Sequence, residues 1–208
     1  MTAPRVAVLD YGSGNLRSAQ RALARAGADV TVTAELAAAA AADGLVVPGV
    51  GAFAACQAGV DALGAGEVVA SRVAAGRPVL GICVGAQILF DYGDEHGVVT
   101  KGLGLLPGGV TRLDAQRVPH MGWNTVTAPP ESVLFAGLPP GSRFYFVHSY
   151  AARPTPALAA TGAAVTVTEH GGPFVAAVER GALSATQFHP EKSGASGATL
   201  LRAWLGTL

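Results

Sequence analysis

Charge is scarce in this 208-residue chain. Charged residues make up 13%, about half the share of an ordinary soluble domain. The shortage is even-handed, 14 basic residues against 14 acidic, so the formal net charge is zero. No basic or acidic surplus points to nucleic acid or to an anionic membrane surface. Lysine is almost missing: Lys101 and Lys192 stand alone among arginines. Two cysteines, Cys56 and Cys83, are too few for a disulfide framework and fit a reducing compartment. No run reads as a membrane span, because the longest uncharged stretch, Gly44 to Val60, is broken by Pro48, Gln57 and several glycines. The N-terminal residues lead straight into a strand-like run ending at Asp10, without the apolar segment of a secretory signal. A soluble, cytoplasmic chain is expected.

What is plentiful is apolar surface and glycine. Apolar residues reach 50%, which excludes intrinsic disorder. The 28 glycines show no three-residue period, so they belong to tight turns rather than to a collagen-like repeat. Short, continuously apolar runs at Val6–Leu9, Leu45–Val47 and Val79–Ile82 alternate with helical patterns. One such helix carries Leu16, Ala19, Leu23 and Ala26 on one face and Arg17, Arg21 and Arg25 off it. Residues 29–33 read as a short strand and 35–42 as an alanine-rich helix. Continuously apolar strands between helices predict a parallel sheet covered on both faces, with its sites at the C-terminal strand ends. Residues 110–113, 124–127 and 165–168 alternate and contain threonine, predicting antiparallel strands with one wet face. Residues 199–208 form a closing helix with Leu201, Trp204, Leu205 and Leu208 on one face. The expected architecture is one α/β domain over residues 1–208: a flavodoxin-like, parallel-core open sheet flanked by helices, with an added antiparallel section.

The sharpest chemical signal is Gly81-Ile-Cys83-Val-Gly85, a cysteine between a strand end and a helix start with glycine on either side. A nucleophile on such a strained turn is exposed at the sheet edge, where side chains at the flanking positions would clash. The helix start favours its thiolate. A lone cysteine is more often a small buried hydrophobe; Cys56, which has no such glycines, is assigned to core packing. A thiol nucleophile needs a base and an orienter. Gln187-Phe-His189-Pro-Glu191 offers both, since residues two apart in an extended segment face the same side. Pro48-Gly49-Val50-Gly51, following a strand, can turn backbone N–H groups inward. One of these and the N–H of Val84 would form an oxyanion hole, though a tight turn suits the same residues.

Taken together and in this order, the Pro48–Gly51, Gly81–Gln87 and His189–Glu191 segments resemble those of the class I (triad) glutamine amidotransferases, over nearly the whole chain. Val84 and Ala86 stand where that family commonly has Leu and Met. Further segments, at 10–15, 119–124, 145–150 and 189–193, are similar to members that serve a cyclase. The resemblance implies glutamine hydrolysis through a thioester at Cys83, with His189 and Glu191 completing the triad and no cofactor or metal. It implies that Gln87 and the His148-Ser149-Tyr150 backbone hold the substrate's amino-acid end. The resemblance implies Glu95 as the partner of its ammonium, with Asp94 as the alternative register in what reads as an acidic loop. It implies a separate (β/α)8-barrel cyclase subunit forming a heterodimer. That subunit uses the ammonia to make imidazole glycerol phosphate and aminoimidazole carboxamide ribotide, in histidine biosynthesis. Asn15, His120, Met121, Trp123, Asn124 and Lys192 are expected at that partner face, although Trp123 suits a core equally. Ser13 and Asn15 suit a helix cap, Gly12-Ser-Gly14 lacks the third glycine of a dinucleotide loop, and His96 and His170 are expected to be exposed. The other readings are a glutaminase serving a different synthase and a stand-alone cysteine hydrolase.

Overall fold

The computed structural model describes residues 2–208. In chain order the first half holds β1 (Arg5–Leu9), α1 (Leu16–Ala26), β2 (Asp29–Thr33), α2 (Leu36–Ala41), β3 (Gly44–Gly49), α3 (Phe53–Leu63), α4 (Ala65–Ala74), β4 (Val79–Cys83) and α5 (Val84–Gln87). The second half holds β5 (Phe90–Glu95), β6 (Val98–Lys101), β7 (Leu106–Arg112), β8 (His120–Thr125), β9 (Arg143–His148), β10 (Tyr150–Ala152), α6 (Pro156–Ala159), β11 (Ala164–Glu169), β12 (Pro173–Arg180), β13 (Leu183–Thr186) and α7 (Gly194–Leu205).

Seven strands form the main sheet in the order β11-β12-β13-β4-β3-β1-β2. The strands from β13 to β2 run parallel, and β12 and β11 extend one edge antiparallel. The apolar runs are the reason for the parallel part. Leu45, Val46, Val47, Val79 and Leu80 are fully buried, with helices covering them. Each such side chain contributes about 1.5–3 kcal/mol on burial. On α1, Ala19 and Leu23 face the core while Arg25 stands in the last turn, and Gly27 ends the helix at φ 114°. The chain passes from β1 to β2 on one side and returns to β3 on the other, so the strand order reverses between β1 and β3. Such a switch point opens a crevice at the C-terminal strand ends. The loops after β1, β3 and β4 all emerge there.

The added section differs from expectation in its pairing. The 165–168 strand, β11, belongs to the main sheet itself, next to β12. β7 starts at Leu106, earlier than alternation indicates, because Pro107, Gly108 and Gly109 hide its beginning. It pairs antiparallel with β10 but parallel with β5 in a four-stranded sheet. Gly109 lies under the Tyr92 ring, where an added Cβ would come within 2.6 Å of the phenol oxygen. The strand expected at 124–127 is β8 at 120–125, a two-stranded ribbon with β9; glycine at 122, with φ 139°, reads locally as a turn. The closing helix begins five residues earlier than the leucine pattern indicates. Gly197 inside it sits against the Pro190 carbonyl, where a side chain has no room. Trp204 of that helix is fully buried over Gly44. Among the described residues, no helix is long and apolar enough to cross a membrane.

Candidate active site

Cys83 ends β4, near the middle of the sheet, at φ 56° and ψ −116°. Few non-glycine residues occupy positive φ, and those that do cluster at functional sites. The flanking glycines are obligatory here. A Cβ at Gly81 would stand 2.8 Å from the Ala86 Cα, and one at Gly85 would run into the Val47 carbonyl. The helix that follows has only four residues. Its dipole therefore adds less to the thiolate than the sequence pattern suggests.

His189 comes to Cys83 by a route other than the extended segment read from the sequence. β13 stops at Thr186, and residues 190–192 form a 3-10 turn starting from His189. That turn, begun by Pro190, brings the Glu191 Oε1 to 2.8 Å from the His189 Nδ1, with both side chains buried. The His189 N–H donates to the Tyr145 carbonyl at 2.9 Å, and the Ser193 hydroxyl donates to the His189 carbonyl at 2.6 Å. Burial alone would lower the imidazole pKa. Contacts with Cys83 and Glu191 outweigh it and raise the pKa to about 9. A protonated imidazole beside a sulfur and a carboxylate is suited to hold a thiolate and to donate a proton to a leaving group.

A cavity of about 240 Å³ opens over the sulfur. Cys83, Val84, His189, Gln87 and Glu95 reach it, as do Val50, Gly51 and the His148-Ser149-Tyr150 segment. Asp94 is not among its lining residues. The acidic residues do not form a loop: Asp94 and Glu95 end β5 and pair with Val99 and Val98 in a hairpin whose turn is His96-Gly97. The Glu95 carboxylate accepts the Phe53 N–H at 3.0 Å, which fixes it at the start of α3. The Gln87 amide nitrogen donates to the Tyr150 carbonyl at 2.8 Å and to the Gln187 Oε1 at 3.0 Å. Both its hydrogens are thereby engaged, leaving the Oε1 acceptor for a ligand. A larger hollow of about 400 Å³ lies between residues 126–136 and 138–144, but no titratable side chain lines it. Among the described residues, no group of three or more His, Cys, Asp or Glu side chains is arranged to hold a metal ion.

One reading of the loop after β3 needs correction. The Val50 N–H does not point to the sulfur: it donates to the Ser13 Oγ at 3.3 Å. The Val50 carbonyl accepts from the Ser13 hydroxyl at 2.9 Å and from the Cys56 thiol at 3.3 Å. The oxyanion hole expected from Gly49, Val50, Gly51 and Val84 thus lacks the Val50 donor in this conformation, because Ser13 competes for it. Cys56 is fully buried, as core packing predicts, but it also tethers this loop. Ser13 is committed to that tether, and Asn15 occupies the N-cap of α1 without a side-chain capping bond. Tyr11 donates its hydroxyl to the Pro48 carbonyl.

The six residues expected at a partner face divide by strand alternation. Met121 and Trp123 are 67% and 52% exposed on the outer face of β8, so Trp123 is not core. Lys192 is exposed at the cavity mouth, and Asn15 is half-buried. His120 is instead buried, and Asn124 turns the same way, giving its amide to the Glu169 carbonyl. His170 is half-buried rather than exposed, stacked on His120 at 4.3 Å between ring centroids. Gln187 escaped the sequence reading. It is buried, with its Nε2 3.9 Å from the Cys83 Sγ, and its position two residues before His189 was the available signal.

The family model "Glutamine amidotransferase class-I" matches residues 7–205. The chain is 62% identical over 208 residues, covering all of both chains, to the imidazole glycerol phosphate synthase subunit HisH of Mycolicibacterium paratuberculosis. It is 60% identical, again over the full length of both, to the protein of the same name from Mycobacterium tuberculosis. A solved structure titled as a glutamine amidotransferase is similar at TM-score 0.76 and 23% identity, covering 97% of each chain. The PurLQS structure from Thermotoga maritima is similar at TM-score 0.73 and 19% identity, covering 98% of each.

Proposed function

Because the chain belongs to the class-I glutamine amidotransferase family, we propose that it is the glutaminase subunit of an imidazole glycerol phosphate synthase. It hydrolyses glutamine to glutamate and ammonia and delivers the ammonia to a cyclase in histidine biosynthesis. The observation that carries this reading is the meeting of Cys83 and His189 on one cavity that Gln87 and Glu95 also line, with Glu191 bonded to the far nitrogen of the His189 ring. Cys83 attacks the side-chain amide carbon, and His189 protonates the departing ammonia. A water activated by the same imidazole then cleaves the thioester to release glutamate. Glu191 holds the imidazole, as the third member of a triad. Glu95 and the Gln87 Oε1, both acceptors, receive the substrate's ammonium, and the 148–150 backbone bounds its amino-acid end. Gly51 and Val84 supply oxyanion donors. The Gly49–Val50 peptide joins them only by leaving Ser13, because one N–H cannot serve both.

The partner in this reading is a (β/α)8-barrel subunit forming a heterodimer in the cytoplasm, and residues 1–208 act as one amidotransferase domain. Support for the contact comes from Met121, Trp123 and Val50, large apolar side chains exposed near the cavity, since aromatic anchors dominate interfaces. His120 and Asn124 serve that face from behind. The decisive experiment is to measure glutamate release by the purified chain with and without the barrel subunit. Glutamine hydrolysis in the complex is expected; none under any partner condition would overturn the assignment.

Trp123→Ala is expected to lower glutamine-dependent synthesis more than hydrolysis, because ammonia escapes when an apolar wall is removed. The ratio of glutamate to imidazole product, taken at saturating partner, reports this directly. An unchanged ratio with unchanged partner affinity would move the interface elsewhere. Lys192→Ala should weaken association in a salt-dependent manner, since an exposed cation acts through a screened field.

A further inference from the structure

Behind the cavity wall, a row of side chains forms a hydrogen-bond chain whose direction is fixed at every step. The His148 Nδ1 lies 2.9 Å from the Tyr150 carbonyl, which only accepts, so that nitrogen carries the proton. The Nε2 of a neutral His148 is then a lone pair. The His120 Nδ1, 3.1 Å away, must donate to it. The His120 Nε2 in turn accepts from the Asn124 amide at 3.4 Å. Asn124 cannot be flipped, because its Oδ1 takes the Thr125 N–H at 2.9 Å and its nitrogen gives its other hydrogen to the Glu169 carbonyl at 3.0 Å.

Both imidazoles are neutral, as this polarity requires. Burial, with the nearby His170, lowers His120 to about 4. Burial lowers His148 to about 3, against a smaller opposing pull from the Tyr150 carbonyl. Stacking fixes the His120 ring, with Phe146 at 4.9 Å on ring centroids. The Tyr150 carbonyl thus receives two donors, His148 and Gln87, and Gln87 goes on to Gln187 beside the sulfur.

We propose that Asn124, His120 and His148 form a one-way relay that positions the Tyr150 peptide and Gln87 for glutamine, making His120 and His148 positioning residues for substrate binding. The proposal rests on the glutaminase reading above. It adds to that reading side chains lying behind the Tyr150 carbonyl. The relay starts on β8, whose opposite face carries Met121 and Trp123, so that surface and the substrate wall are joined by bonded groups.

The test uses the complex with its barrel subunit and compares three variants. His148→Leu removes the donor to Tyr150. His148→Asn keeps a donor, because the asparagine Nδ2 takes the place of the imidazole Nδ1. His120→Phe keeps the stacking but leaves His148 without its donor. His148→Leu and His120→Phe are expected to raise the KM for glutamine about tenfold, the effect of one misplaced hydrogen bond, with kcat changed by less than about threefold. His148→Asn is expected to raise KM less than His148→Leu, because the donor to the Tyr150 carbonyl is kept while the Nε2 acceptor for His120 is lost. Glutamine Kd measured in the Cys83→Ala background should move with KM, and thermal unfolding reports folding.

An unchanged KM in His120→Phe, an equal rise in His148→Leu and His148→Asn, or a fall in kcat alone would overturn the relay. If His148→Leu does not unfold cooperatively, His120→Phe and His148→Asn decide the matter. A wild-type complex without glutaminase activity would instead overturn the reading beneath it.

Discussion

Replacing Cys83 by alanine is expected to reduce glutamine hydrolysis by about four orders of magnitude or more, the scale of losing a nucleophile. The fold should survive. The sulfur's polar contacts are with the catalytic His189 and, at 3.9 Å, with Gln187, and alanine takes on the same positive φ that cysteine already bears. Cys83→Ser should be nearly as inactive, because a hydroxyl is far harder to deprotonate than a thiol. Synthesis driven by added ammonia should persist in the complex, since free ammonia bypasses the glutaminase. Glutamate release and ammonia-dependent product formation, measured on one preparation, separate the two. Substantial turnover by either variant would sink the covalent mechanism. Cys56→Ala is the matched control. It removes the other thiol and one tether of the Val50 carbonyl, and it should retain hydrolysis.

His189→Asn should lower kcat/KM by about two to four orders of magnitude, because both proton transfers run through this imidazole. The pH dependence carries the sign of the shift. Cys83 and Glu191 keep the proton on His189 up to about pH 9, so wild-type hydrolysis should decline as pH rises through that value and the acid is lost. Glu191→Gln removes one of the groups that hold the proton. Its alkaline limb should therefore move to lower pH, with a milder loss of rate than in His189→Asn, because a hydrogen bond to the Nδ1 remains possible. A limb that stays in place would detach Glu191 from the imidazole's protonation.

Much of this was legible because the parallel core declares itself. Val6–Leu9, Leu45–Val47 and Val79–Ile82 are apolar on both faces, which only a doubly covered sheet explains. The Cys83 elbow was equally plain, because its glycines are required by backbone contacts that no side chain can share. The misreadings share a different cause. Glycines at 108, 109, 122 and 197 looked like turns but lie inside regular elements where a neighbouring ring or backbone comes close or, at Gly108 and Gly122, where φ is positive. Glu95 was read in a loop because Asp94, Glu95 and His96 carry no strand propensity; pairing with Val98 and Val99 overrides it. The engagement of Val50 by Ser13 joins residues 37 positions apart, and local pattern contains no record of such a contact.

The backbone at Cys83 has a consequence for how this chain can change. At φ 56° and ψ −116°, any L side chain costs about 1–3 kcal/mol that glycine would not incur. The residue the chemistry can least spare is therefore one the fold would gain by discarding. Selection for heat resistance alone pulls this position toward glycine and toward a more durable protein without a nucleophile. Only selection that also demands ammonia keeps the sulfur in place, so thermostabilised descendants of this chain have to be screened for turnover at every round.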